Sequence, residues 1–477
     1  KKGRQNFING LIEMPLNEFI MKKLLIAMFI INLIACKEAP KVDYAIISGK
    51  ITNKEKGDVS ISSYDRSFEE TLDISDEGTF VDTLNVKEPS YVLYDGKNPV
   101  FLYLKPGYHL NITYDAKDFD KSISISGKGF ETSNYLILKR KKEKKLFGKA
   151  EDIYTLSEND YKTKLKSIVD AQLNILDSLK GIPDEYKEKE KRNLNYFYLR
   201  LLIDYEDAHK EFTKKTDFKV SDDYLNELND LDYLNEEDYA FSNFYKSLIR
   251  EHYKSEAIKL EKKDSIKRDI AFVKTVSNIK SDLIKNGLLF EHANYKMGYS
   301  KDIEGYYKSF IENSTNEKNN TLITEKYNKL VGLKTGRPSP LFVNYENYKG
   351  GTTSLEDLKG KYVYIDVWAT WCGPCIAEIP SLKKVEEQYH GKNIEFVSIS
   401  IDKASNYEKW KTMVADKELG GIQLFADNDW NSGFVKDYQI NGIPRFILID
   451  PEGNIVNANA PRPSNPKLVE LFTELNI

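Results

Sequence analysis

Cys372 and Cys375, set in Trp371-Cys372-Gly373-Pro374-Cys375, are the pair of side chains in this chain best spaced for chemistry. Thiols one helical turn apart can close a disulfide on each other and exchange it with a third thiol. The stretch before them, Tyr362 to Trp368, is apolar, β-branched and aromatic, as a buried strand would be. After them Ile376, Ile379, Leu382 and Val385 recur at helical spacing up to Gln388. Cys372 therefore falls at or just before a helix N-terminus, where free N–H groups and the positive end of the dipole favour a thiolate. Lowering a thiol pKa from about 8.5 towards about 7 corresponds to roughly 2 kcal/mol of thiolate stabilisation, enough for reactivity at neutral pH. A zinc knuckle would need a second cysteine pair, which is absent, and haem attachment would need His where Ile376 stands. The five histidines are scattered and form no HxxxH or HExxH pair. No metal site and no cofactor beyond the dithiol itself is expected.

The elements that must position this pair occupy the end of a long chain. With 477 residues, length allows about three domains. Lys and Arg number 70 against 74 Asp and Glu, a net charge of −4, which lacks the basic excess of a nucleic-acid binder. Residues 44–127 alternate apolar and polar in short runs, from Tyr44 to Ile51 through Ser122 to Ser126. Turn signals such as Asp76-Glu77-Gly78 and Pro106-Gly107 separate the runs, which predicts a β-sandwich. Residues 130–335 read as an α-helical region with Pro183 as its one proline; Tyr161 to Lys180 is an example, where Leu165, Ile168, Val169, Gln172, Leu173, Leu176 and Leu179 recur at three and four. Its many tyrosines are expected in packing roles. Gly336-Arg337-Pro338-Ser339-Pro340 opens the last segment, 336–477, which holds all four tryptophans. There the runs predict strands at Ile394 to Ile401, Gly421 to Phe425, Arg445 to Asp450 and Ile455 to Ala460, with helices at Ser405 to Ala415 and Pro466 to Leu475.

The Trp-Cys-Gly-Pro-Cys motif within Asp366-Val-Trp-Ala-Thr-Trp resembles thioredoxin-fold thiol-disulfide oxidoreductases, and within them the exported, membrane-tethered TlpA/ResA-type branch. A peroxiredoxin would have Thr and Pro where Ala369 and Ile365 stand. The resemblance covers 336–477 and implies an α/β thioredoxin fold. It implies that Cys372 attacks, that Cys375 resolves, and that Asp366 on the central strand or Glu378 on the helix carries the proton. Pro380 matches a helix-kinking proline of that branch. Gly442-Ile443-Pro444 matches a cis-proline loop, at which Ile443 and Pro444 would meet a substrate segment alongside Trp371, Gly373 and Pro374. The β-rich segment also resembles one that precedes thioredoxin modules in lipoproteins of some Gram-negative bacteria.

The remaining cysteine, Cys36, ends a different signal. Met21-Lys22-Lys23 and the apolar run Leu24 to Ala35 read as an export signal, too short at about a dozen residues to span a bilayer. Leu33-Ile34-Ala35-Cys36 resembles a bacterial lipobox, so residues 21–36 are expected to be a lipoprotein signal with Cys36 as the lipid anchor. Residues 1–20 are expected to lie upstream of the natural start. Loss of the segment before Cys36 removes Lys1, Lys2, Arg4, Lys22 and Lys23 with Glu13 and Glu18, which takes the charge from −4 to −7. Lipid rather than a basic patch would then hold the protein to a membrane.

The expectation is a periplasm-facing, lipid-anchored reductase of exported protein disulfides in the cell envelope, apocytochrome c being one candidate substrate. It would be recharged by a membrane or periplasmic electron donor. Two alternatives stand beside it: a binding or scaffold lipoprotein with an auxiliary redox module, and a disulfide oxidase or isomerase.

Overall fold

Alternation of apolar and polar residues builds the first part of the chain into sheets. The computed structural model describes residues 42–55, 57–64 and 68–477; Cys36 and the signal before it lie outside them. The strands there are β1 (Tyr44–Thr52), β2 (Val59–Ser63), β3 (Glu69–Leu72), β4 (Thr79–Asn85), β5 (Ser90–Tyr94), β6 (Pro99–Tyr103), β7 (His109–Asp115) and β8 (Ser124–Lys128). They form two four-stranded sheets, ordered β4-β1-β7-β8 and β3-β2-β5-β6. Every second residue points into one shared cluster, with Ile47, Ile61, Leu93 and Ile112 fully buried. The strands differ from the sequence expectation at two places. Strand β3, whose acidic Glu69 and Glu70 hide its pattern, is additional. Ser122 closes a short helix, Phe119–Ser122, so the last strand begins only at Ser124.

One compact unit ends at Lys141 and takes in Leu179–Gly181; the other comprises Lys142–Ser178 and Ile182–Ile477. In the second unit, helices run from Ala150–Tyr154 to Glu317–Gly332, the longest being Asp184–Thr213. Their tyrosines are structural. The rings of Tyr161 and Tyr205 stack at 4.5 Å, and their hydroxyls donate to the carbonyls of Leu201 and Leu156. Buried phenols thus keep a hydrogen bond while contributing apolar area.

The C-terminal sheet contains β9 (Tyr345–Asn347), β10 (Thr352–Thr353), β11 (Tyr362–Trp368), β12 (Ile394–Ser400), β13 (Ile422–Phe425), β14 (Arg445–Ile449) and β15 (Ile455–Asn457), in the order β10-β9-β13-β12-β11-β14-β15. β11 is parallel to β12 and antiparallel to β14, which makes it a central strand covered on both faces. Val363, Ile365 and Val367 enter one cluster, while Tyr364 enters another with Leu382, Val385 and Phe472. The first cluster is continuous with the helical region, since it also holds Tyr306 and Leu330. β9, β10 and the helix Gly433–Asp437 are too short to show a period in the sequence.

Candidate active site

The helix Gly373–Gln388 starts at its cysteine. Cys372 is the N-cap residue, extended at φ −85°, ψ 94°, and its Sγ accepts from the Cys375 N–H at 3.2 Å. Cysteine does here what Ser or Asp does at other helix starts, so a negative charge on that sulfur would be met by the free end of the helix. Pro374 fits the first turn because its missing N–H would have had no partner. Cys372 and Cys375 are joined as a disulfide with Cα atoms 5.2 Å apart. Both cysteines are buried, whereas a Cβ placed on Gly373 between them would meet nothing within 4 Å. Pro380 lies inside the helix.

A residue overlooked in the sequence holds the loop before Cys372. Asp402, buried after β12, accepts from the Thr370 N–H and hydroxyl, both at 2.8 Å, and from the Ser400 hydroxyl at 2.8 Å. Its distance of thirty-two residues from Thr370 hides this pairing in a linear reading. Trp371 is 49% exposed and tilts against Trp430 at 6.3 Å, forming an aromatic ledge beside the dithiol.

Asp366 lies on the same face of β11 as Tyr364, the face covered by the cysteine helix. Its Oδ1 has no hydrogen-bond partner. Burial, reinforced by the charges of Glu386 and Glu378, pushes its carboxyl up to about 8. Glu386, on the same helix, is itself pushed up to about 7 by burial, with Lys383 opposing. Glu378 is differently placed: its carboxylate accepts from the Ser464 N–H at 3.0 Å and hydroxyl at 2.9 Å, with Arg462 at 3.8 Å. Of the two carboxylates expected from the sequence, Asp366 thus has a free buried oxygen and Glu378 is engaged. The Ile443–Pro444 peptide is cis, and Ile443 packs on the core cluster that contains both cysteines. Among the described residues no group of His, Cys, Asp and Glu could hold a metal ion.

The Redoxin family matches residues 334–471. The thioredoxin-like protein YneN of Bacillus subtilis is 32% identical over 127 residues, which are 27% of this chain and 72% of that one. The thiol-disulfide oxidoreductase ResA of Bacillus anthracis is 28% identical over 127 residues, 26% of this chain and 68% of its own. Among solved structures, a putative thiol-disulfide oxidoreductase from Bacteroides vulgatus is 54% identical, covering 30% of this chain and 92% of that one, with a TM-score of 0.27. The thioredoxin-like sheet, the cysteine-capped helix, the Redoxin match and the sequence relatives YneN and ResA lead to one conclusion: the chain belongs to the TlpA/ResA-type thioredoxin-fold thiol-disulfide oxidoreductases.

Proposed function

We propose that this protein reduces disulfides of exported proteins through Cys372 and Cys375. The observation that carries the reading is the placement of Cys372 Sγ at the helix N-cap, bonded to Cys375 one turn on. In the working direction the Cys372 thiolate attacks one substrate sulfur, the substrate S–S bond breaks, and a mixed disulfide forms. Cys375 gives its proton to Asp366 and attacks Cys372 Sγ. The substrate leaves as a dithiol, two electrons richer, and the enzyme is left as the Cys372–Cys375 disulfide. A membrane or periplasmic thiol donor then restores the dithiol. Trp371, Gly373, Pro374, Ile443 and Pro444 form the substrate-facing rim, and Glu378 holds the segment around Ser464.

The same reading includes a lipid anchor at Cys36, a place in the cell envelope facing the periplasm, and a layout of β-sandwich (44–127), helical region (130–335) and thioredoxin-like domain (336–477). Apocytochrome c is one substrate of suitable chemistry. Among the described residues no helix is long and apolar enough to cross a membrane.

An insulin-reduction assay with a regenerating thiol tests the activity. Turnover is expected from the native chain and none from Cys372→Ser, while Cys375→Ser accumulates a mixed disulfide with substrate. No turnover and no trapped adduct would refute the reading.

A further inference from the structure

The helix Glu317–Gly332 buries Ile323, Lys326 and Leu330, a spacing of three and four that sets a lysine on its inward, apolar face. Lys326 is 8% exposed, and no hydrogen bond or ion pair among the described residues reaches its ammonium. The charge that acts on it is another cation, Arg445. Arg445 is 3% exposed; its Nε donates to the Ala458 carbonyl at 2.9 Å, and its guanidinium lies 5.3 Å from the centre of the Tyr299 ring. No carboxylate pairs with Arg445 among the described residues; the polar groups acting on it are the Tyr299 hydroxyl, to which it hydrogen-bonds, and the Tyr438 hydroxyl, which is shared with Ser339 at 2.6 Å.

Two buried like charges oppose each other, and buried charges in folded proteins are ordinarily paired. Burial, with the Arg445 charge added, pushes the Lys326 ammonium down to about 8, and burial lowers Arg445 as well. The pair is one anion short. Its location gives that anion a source. Arg445 directly follows Ile443–Pro444, and on the other side of that loop the Asn441 amide donates to the Asn294 carbonyl at 3.3 Å. The helical region thus touches the loop on both sides of Ile443. Tyr299, 47% exposed, lies over the Arg445 guanidinium.

We propose that Lys326, Arg445 and Tyr299 form a carboxylate-binding subsite next to the Ile443–Pro444 loop, which takes an acidic side chain of the substrate segment laid along that loop. The proposal rests on the reductase reading of the dithiol. It assigns the helical region a share in substrate choice: proteins with Asp or Glu near the target cysteine are preferred. A free oxyanion such as inorganic phosphate shares the required chemistry and is separated from the substrate by experiment.

The test uses the full chain and three peptides that differ only in Glu, Gln or Lys beside one cysteine. Binding of the cysteine-blocked peptides to Cys372→Ser is followed by tryptophan fluorescence, and turnover of the disulfide forms by the native enzyme is measured alongside. The Glu peptide is expected to bind about tenfold more tightly than the Lys peptide, as a charge-assisted contact would give, with a matching difference in KM and little in kcat. In Lys326→Met, checked for folding by its thermal transition, the ratio should fall to about one. An unchanged ratio in the folded variant overturns the proposal, and the native ratio keeps it testable should that variant not fold. Equal binding of all three peptides overturns the proposal. So does thermal stabilisation by inorganic phosphate without any preference among the peptides, which would assign the site to a free anion. A binding preference without turnover leaves the subsite standing and removes the reductase reading instead.

Discussion

Asp366 sets the pH behaviour of the proposed reaction. A carboxyl pushed up to about 8 is mostly protonated at neutral pH, so the form able to take the Cys375 proton grows as pH rises. The resolving step, followed by stopped-flow tryptophan fluorescence, is expected to accelerate up to about pH 8 and then level off. Asp366→Asn should remove that limb and slow the step by roughly a hundredfold, within the range of general-base contributions. Glu386→Gln removes a charge that raises Asp366 and should move the limb to lower pH. Stability follows the same shift with a definite sign. The folded state binds the Asp366 proton more tightly than the unfolded chain, so its contribution is fully present below about pH 4 and is lost as pH rises to about 8. Asp366→Asn should therefore melt higher than the native chain at pH 8, by an amount on the order of a few kcal/mol, with little difference at acid pH. An equal difference at both pH values would contradict a raised carboxyl.

At the scale of elements, the loop Ala369–Trp371 depends on Asp402. Removing its carboxylate in Asp402→Ala leaves the Thr370 N–H and hydroxyl and the Ser400 hydroxyl without this acceptor inside the fold. A loss of about 1–3 kcal/mol in urea unfolding is expected, with slower reduction because Cys372 is no longer held at the helix start. The contrast between Asp402 and the cysteines shows what a linear reading reaches. β11 and the helix Gly373–Gln388 have the bounds their residue types suggest, because the strand is apolar and aromatic but for Asp366 and a Pro and a CxxC mark the helix start. Asp402, Trp430 and Arg445 meet the site only through the sheet, and no local period marks a residue that acts across such a distance. The short strands β9 and β10 fail for a related reason, as two or three residues cannot display alternation.

Across the second unit, one apolar cluster joins the helices to the C-terminal sheet, with Tyr306, Phe310 and Leu330 beside Val367, Ile399 and the cysteines. Separating them would expose that surface to water at about 25 cal/mol per Å². A fragment of residues 336–477 is therefore expected to unfold at a lower urea midpoint than the same segment in the full chain, monitored by its tryptophans; identical midpoints would show that the cluster adds no stability. The electrostatics reach across the same junction, where the charge of Arg445 in the sheet acts on Lys326 of the helices. Composition could not reveal this, because a lysine in a helix reads as solvated until its face is known.

The reduction potential of the Cys372–Cys375 couple in the full chain, measured by equilibration with a dithiol buffer at neutral pH, bears most directly on the central claim. A reductase predicts a value near that of thioredoxin, about −270 mV, whereas a value near the strong oxidants, about −120 mV, would contradict it.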